Sequence, residues 1–144
     1  MYQLNYHSIS QPELSHKELD NILETAIKVN SAKDITGCLI YHNNHFVQIL
    51  EGNKNDVLEV FEKIQADDRH HTVTVLWENS IDKRYFPKWN MAYHQPNHDN
   101  IIQFVNNLLL LSELSDRSTS SLLSFWATVR KILNDDKITN YEVV

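Results

Sequence analysis

The segment Ile35 to Gly52, ITGCLIYHNNHFVQILEG, constrains the chain more than any other. Its pattern predicts two strands joined by the turn His42-Asn43-Asn44-His45, and it holds both glycines of the protein, Gly37 and Gly52. Side chains alternate between the faces of a strand. Phe46, Gln48 and Leu50 therefore share one face, and Val47 and Ile49 the other. A strand apolar on both sides is covered on both sides, which puts the Gln48 amide out of reach of water. A buried amide left unpaired costs about 1–3 kcal/mol, so Gln48 requires a polar partner.

Tyr2 to Ser8 reads as an earlier strand, with Tyr2, Leu4, Tyr6 and Ser8 on one face and Gln3, Asn5 and His7 on the other. Ser15-His16-Lys17-Glu18 is a capping box, and Leu14 with Leu19 has the spacing of a hydrophobic staple. The helix that follows buries Leu19, Ile22, Leu23, Ala26 and Ile27 at spacings of three and four. Its stripe runs on to Val29 and Asn30, where the helix is expected to end. Asn30 either closes the helix or points a polar group toward the core. After the hairpin, Asn53 or Asn55 caps a second helix with the stripe Val57, Val60, Phe61 and Ile64, ending near Asp67 to His71. Thr72 to Glu78 is a strand rich in β-branched residues. After an irregular stretch from Asn79 to Lys88, Trp89, Met91 and Tyr93 alternate with Asn90 and Ala92 as a short last strand.

The resulting order, β-α-β-β-α-β-β, is the ferredoxin-like pattern plus one strand, an α+β fold with two helices on one face of the sheet. It predicts a domain over residues 1–95. Residues 96–144 form an extension: a linker from Gln95 to Asn100, a helix carrying Ile101, Phe104, Val105, Leu108 and Leu111, and another carrying Leu122, Phe125, Trp126, Val129 and Leu133. A helical hairpin of that size is too small to stand alone and is expected to cover the free face of the sheet or a partner. Trp126 in particular reads as core packing rather than a partner-binding anchor.

Several functions are excluded by what the chain lacks. A net charge of −6 disfavours general nucleic-acid or anionic-membrane binding, and the third strand lacks the basic, aromatic pattern of an RNA-binding sheet. Neither an export signal nor an apolar run long enough to span a bilayer is present. Cys38, the single cysteine, reads as a packed core thiol in a reducing cytoplasm. Two glycines cannot build a phosphate-cradling loop. Six of the eight histidines fall in three pairs, His42 and His45, His70 and His71, and His94 and His98, none of them in metal-ligand order, and no nucleophile motif is present.

What remains is a set of polar residues on core faces: Tyr6 on the first strand, Asn30 at the helix end and Gln48 on the third strand, with Trp89 and Met91 on the last. In this fold the first and third strands are central neighbours, so Tyr6 and Gln48 can meet. On spacing alone the pair is equally a phenol satisfying a buried amide, with no function beyond that.

A family resemblance separates these readings. It is carried by Tyr6-x-Ser8, by Asn30 followed by Ile35-Thr36-Gly37, and by Phe46-x-Gln48-x-Leu50-Glu51-Gly52. Asp67-x-Arg69-His70, Arg84-x-Phe86 and Trp89-x-Met91 continue it in order, so that it spans about two-thirds of the chain. In these elements the chain resembles the BLUF domains, blue-light sensors that use flavin. The resemblance implies a non-covalent flavin, FAD or FMN, lying between the two helices. Asn30 would meet its pyrimidine edge, and Gln48 would bridge its N5/O4 edge to the phenol of Tyr6. Ile22, Ala26, Phe46 and Ile64 would pack on the ring, with Ser8 and Leu39 completing the cofactor set. Lys63, Asp67, Arg69 and His70 would hold the ribityl chain and phosphate. Val29 departs from the family, where a histidine or second asparagine often stands.

The implied photochemistry transfers an electron and a proton from Tyr6 by way of Gln48, with Trp89 and Met91 close to the switch. The rearranged amide then shifts the flavin absorption to the red. The same resemblance implies a photoreceptor and not an enzyme, signalling to a downstream protein or through homo-oligomerisation, without direct nucleic-acid or membrane contact. A light-independent ferredoxin-like ligand- or protein-binding module is the alternative, and a flavin enzyme is disfavoured because no residue set prepares a substrate site.

Overall fold

The computed structural model describes residues 1–12, 14–94, 126–127 and 140–141. Its elements are β1 (Tyr2–Ser10), α1 (His16–Ala32), β2 (Thr36–His42), β3 (His45–Gly52), α2 (Lys54–Ala66), β4 (His70–Ser80), β5 (Met91–His94) and the two-residue β6 (Asn140–Tyr141). The sheet order is β4-β1-β3-β2-β5-β6. Neighbouring strands are antiparallel except for the parallel pair β2 and β5. This is the ferredoxin-like α+β arrangement, extended at one edge. β6 was not expected from the sequence. The helical hairpin expected between residues 101 and 133 lies outside the described residues, apart from Trp126 and Ala127.

Local chemistry sets the joints. The Ser15 hydroxyl accepts from the Glu18 N–H at 3.1 Å, and the Glu18 carboxylate accepts from the Ser15 N–H, closing the expected capping box. Helix α1 runs two residues past Asn30, and the Asn30 carbonyl then accepts from both Lys33 and Ile35. Asn53, not Asn55, caps α2. Asn43 and Asn44 both take positive φ, 47° and 64°, the two-residue turn that matches the twist of a hairpin. Gly37 is required by closeness rather than by φ: a Cβ there would lie 2.0 Å from the Ile49 carbonyl oxygen.

Two cores follow from strand alternation. On the helical face Leu4, Tyr6, Leu39, Phe46, Leu50 and Met91 pack against Leu19 and Leu23 of α1 and Val57, Val60 and Phe61 of α2. On the far face Cys38, Ile40, Val47 and Ile49 pack with Phe86, Trp89 and Trp126. Cys38 is buried as expected, and Trp126 is buried edge-on against Phe86 at 5.8 Å between ring centres. Strand β4 is longer than its β-branched run suggests, because its polar ends still pair with Tyr2 and Ser10. A register shift between Asn5 and Tyr6 breaks its alternation. Val75 consequently joins the helical side and Trp77 the far side.

The far face also carries a stacked histidine pair, with His7 Nε2 2.8 Å from His45 Nδ1. Burial, and then the neighbouring His45, pulls His7 down to about 4. His7 thus stays neutral in the fold at pH values where the unfolded chain, with its ordinary value of 6.5, takes up a proton. Its contribution to stability is complete above about pH 6.5 and is lost as pH falls toward 4. The urea midpoint of His7→Gln should vary less across that window than the parent's. A second expectation concerns Gly37→Ala, whose methyl group must displace β3 backbone. Urea unfolding should show a loss of about 2–3 kcal/mol.

Candidate functional site

The β1–β3 register sets Tyr6 directly across from Gln48. Both side chains point to the helical face, and the Tyr6 hydroxyl donates to Gln48 Oε1. Gln48 Nε2 in turn donates to the Met91 sulfur at 3.3 Å. An amide nitrogen carries two hydrogens, so one remains for a ligand. Burial raises the Tyr6 phenol well above its usual range, and the negative charge of Asp67 adds to the effect. Tyr6 is therefore a neutral proton donor at physiological pH.

Tyr6 and Gln48 lie on the floor of a cleft between the two helices, with about 850 Å³ of empty space including its open mouth. Leu39 and Phe46 complete the floor. One wall is Ile22, Ala26 and Asn30 of α1, and the other is Ile64 and Lys63 of α2. Asp67, Arg69 and His70 close the end beyond α2. Thr25, Val29 and Val60 also line the cleft and were not assigned to it from the sequence. Helical spacing contains the missing signal: Thr25 and Val29 lie on one stripe with Ile22, Ala26 and Asn30, and Val60 is one turn before Ile64. Val29 gives this part of the cleft apolar surface.

Asn30 is 1 % exposed. Its Nδ2 donates to the Asn90 carbonyl at 2.9 Å, while its Oδ1 is buried without a partner. An orphaned acceptor lining a cleft calls for a ligand N–H. At the far end Arg69 Nη2 meets Asp67 Oδ2 at 2.6 Å, and Arg69 Nη1 meets Asn21 Oδ1 at 3.1 Å. The pairing holds the Asp67 carboxyl below its usual range and Arg69 above its own. A guanidinium has five N–H groups, and those left over can meet an anionic or polar tail. Lys63 is an exposed rim residue paired with Glu59 at 3.7 Å.

Three expected site residues are placed differently from the rest. Ser8 does not line the cleft; its Oγ lies 2.7 Å from His70 Nδ1. His70 lines the cleft, but its Nε2 is taken by the Ile64 carbonyl, so it supplies wall rather than a free donor. Trp89 requires a correction. It precedes β5 and packs on the far face against Phe86, away from Gln48. The expected alternation fails at Asn90, whose amide donates to the Ile35 carbonyl while its own carbonyl accepts from Asn30. That bend sends Trp89 and Met91 to opposite faces.

Comparison with known proteins matches residues 1–92 to the family model BLUF, described as sensors of blue-light using FAD. The chain belongs to the BLUF family. It is 35 % identical over 90 residues to the photoactivated adenylate cyclase subunit beta of Euglena gracilis, covering 62 % of this chain and 10 % of that protein. The chain thus spans about a tenth of that relative's length. Among solved structures, BlsA in its photo-activated state superposes with a TM-score of 0.78 at 33 % identity, covering 90 % of this chain and 94 % of that one. BlrB, a BLUF protein in its dark state, gives 0.75 at 25 % identity over 90 % and 95 %.

As a BLUF domain the chain belongs to the sensors of blue light that use flavin. The cleft fits a flavin on its own terms: apolar walls for a planar ring, the orphaned Asn30 oxygen for a ring N–H, and the spare Gln48 N–H for an acceptor edge. Asn30→Ala should raise the Kd for flavin about tenfold, the loss of roughly 1.4 kcal/mol, as read by titrating the apoprotein with FAD and following flavin fluorescence.

Proposed function

We propose that this BLUF domain is a blue-light photoreceptor whose switch is the hydrogen-bonded series Tyr6–Gln48–Met91. The observation that carries this reading is the buried Tyr6–Gln48 bond on the cleft floor, with the amide's second N–H left for the cofactor. A bound flavin supplies absorption of blue light and an excited-state electron acceptor. Tyr6 suits the donor's role because its phenol stays protonated until it is oxidised, and Gln48 Oε1 lies where the proton leaves. Gln48 both donates and accepts, so it can relay that proton and come to rest with its amide rearranged. An acid in its place would add charge instead.

Rearrangement changes what Gln48 offers to the cofactor and what it offers to Met91. Exchanging one or two hydrogen bonds is worth only about 1–3 kcal/mol, so the response requires an element near balance between two states. Strand β5 suits that role, since Met91 begins it and its neighbours are β2 and β6. Residues 96–144 then form the output, acting on a downstream protein or on assembly with a second copy, in the cytoplasm. No helix among the described residues is long and apolar enough to cross a membrane.

Tyr6→Phe tests the assignment. The variant should retain flavin but lose the reversible red shift that blue light produces in the parent. It should also lose about 1–3 kcal/mol of stability, because Gln48 Oε1 is left buried and unpaired. A photocycle that survives in the variant overturns Tyr6 as donor.

A further inference from the structure

Three residues beyond Gln48 on the same strand, Glu51 points to the opposite face and is fully buried. Its Oε1 accepts from the Phe86 N–H at 2.7 Å. Its Oε2 accepts from the Tyr85 N–H at 2.8 Å and from Gln3 Nε2 at 3.0 Å. Gln3 is itself held by Trp77, whose Nε1 donates to Gln3 Oε1 at 2.9 Å. The neighbouring Arg84 donates to Thr36 Oγ1 at 2.9 Å, to Asp34 Oδ2 at 3.1 Å and to the Glu51 carbonyl at 3.4 Å.

A carboxylate in such a place is costly to desolvate, and burial does raise the Glu51 carboxyl above its usual range against the pull of its N–H donors and Arg84. Its chemistry explains the choice. Two acceptor oxygens receive three N–H donors here, whereas a glutamine would turn its own NH₂ against one of them. Two of the donors it captures, the Tyr85 and Phe86 N–H groups, are consecutive backbone groups at the start of the segment leading to Met91. That segment is tied again where the Gly37 N–H donates to the Trp89 carbonyl at 3.0 Å, and at Asn90 through Ile35 and Asn30. One strand thus carries the Gln48 amide on one face and the anchor of its sulfur partner on the other.

We propose that Glu51 is a positioning residue for the switch: it fixes the 85–91 segment and thereby the place of the Met91 sulfur against Gln48. The inference rests on reading Tyr6–Gln48–Met91 as the switch, but the positioning itself is measurable in the dark. Met1 and Met91 are the only methionines, so a protein labelled with ¹³C-methyl methionine gives two resonances. In the flavin-loaded protein, Glu51→Gln should move the Met91 methyl resonance. Leu58→Ala, at an exposed position of α2 outside the core that holds Met91, should leave it in place. Glu51→Gln should also change the dark-recovery rate about threefold or more, and that effect should vanish when Met91 is already Leu.

An unmoved Met91 resonance, or an equal effect on recovery in both backgrounds, overturns the proposal. Should Glu51→Gln fail to fold, Gln3→Leu removes one donor from the carboxylate while keeping both backbone clamps. It must then shift the same resonance, and a stationary Met91 in that folded variant is equally contradictory. A parent without a photocycle would sink the switch reading instead, with the dark-state resonance still deciding the role of Glu51.

Discussion

The register between β1 and β3 is the constraint on which the rest depends. It places Tyr6 opposite Gln48, and because strands alternate, it simultaneously sends Gln3 and Glu51 together to the other side. A slip of β3 by one residue would exchange its faces, removing the amide from the cleft and from Tyr6 and turning the carboxylate toward the helices. The two-residue turn at Asn43-Asn44 fixes the register of β3 against β2, and the close approach at Gly37 holds that pair tight. The central strands therefore serve both the fold and the site.

Around that pair, the cleft divides its work by chemistry. Apolar residues from both helices offer area to a ring, while the few polar atoms sit where direction matters: the Gln48 amide on the floor, the Asn30 oxygen on the α1 wall, and the Asp67–Arg69 pair at the end. Asn30 also binds the Asn90 carbonyl, so the residue suited to gripping the cofactor braces the approach to Met91. One side chain thus lines the cleft and positions the strand, a second connection between the cleft and β5 in addition to the Gln48–Met91 bond.

Much of this was legible in the sequence because it follows from short-range rules. The capping box at Ser15, the hairpin at Asn43-Asn44 and the isolation of Gln48 among apolar neighbours are all written in local pattern. Periodicity could say that Gln48 needed a partner and that Tyr6 was within reach; the likeness of the Gln-x-Leu-Glu-Gly element to BLUF domains supplied the flavin. The misreadings have a common cause in backbone irregularity. Trp89 was placed with Met91 because alternation was carried through Asn90, where hydrogen bonds to Asn30 of α1 and to Ile35, just before β2, bend the chain. The bulge in β4 is invisible in a run of β-branched residues. Thr25 escaped because a polar residue on an apolar stripe looks like its edge, and the roles of Ser8 and His70 depended on a long-range bond that no spacing encodes.

The central claim is that light acts on the Tyr6–Gln48 pair through a flavin held in this cleft. The most direct measurement is the absorption spectrum of the purified, flavin-loaded protein before blue illumination, immediately after it, and following recovery in darkness. A flavin band that moves to the red and returns unassisted is the predicted result. A yellow protein whose band does not move reversibly would contradict the claim.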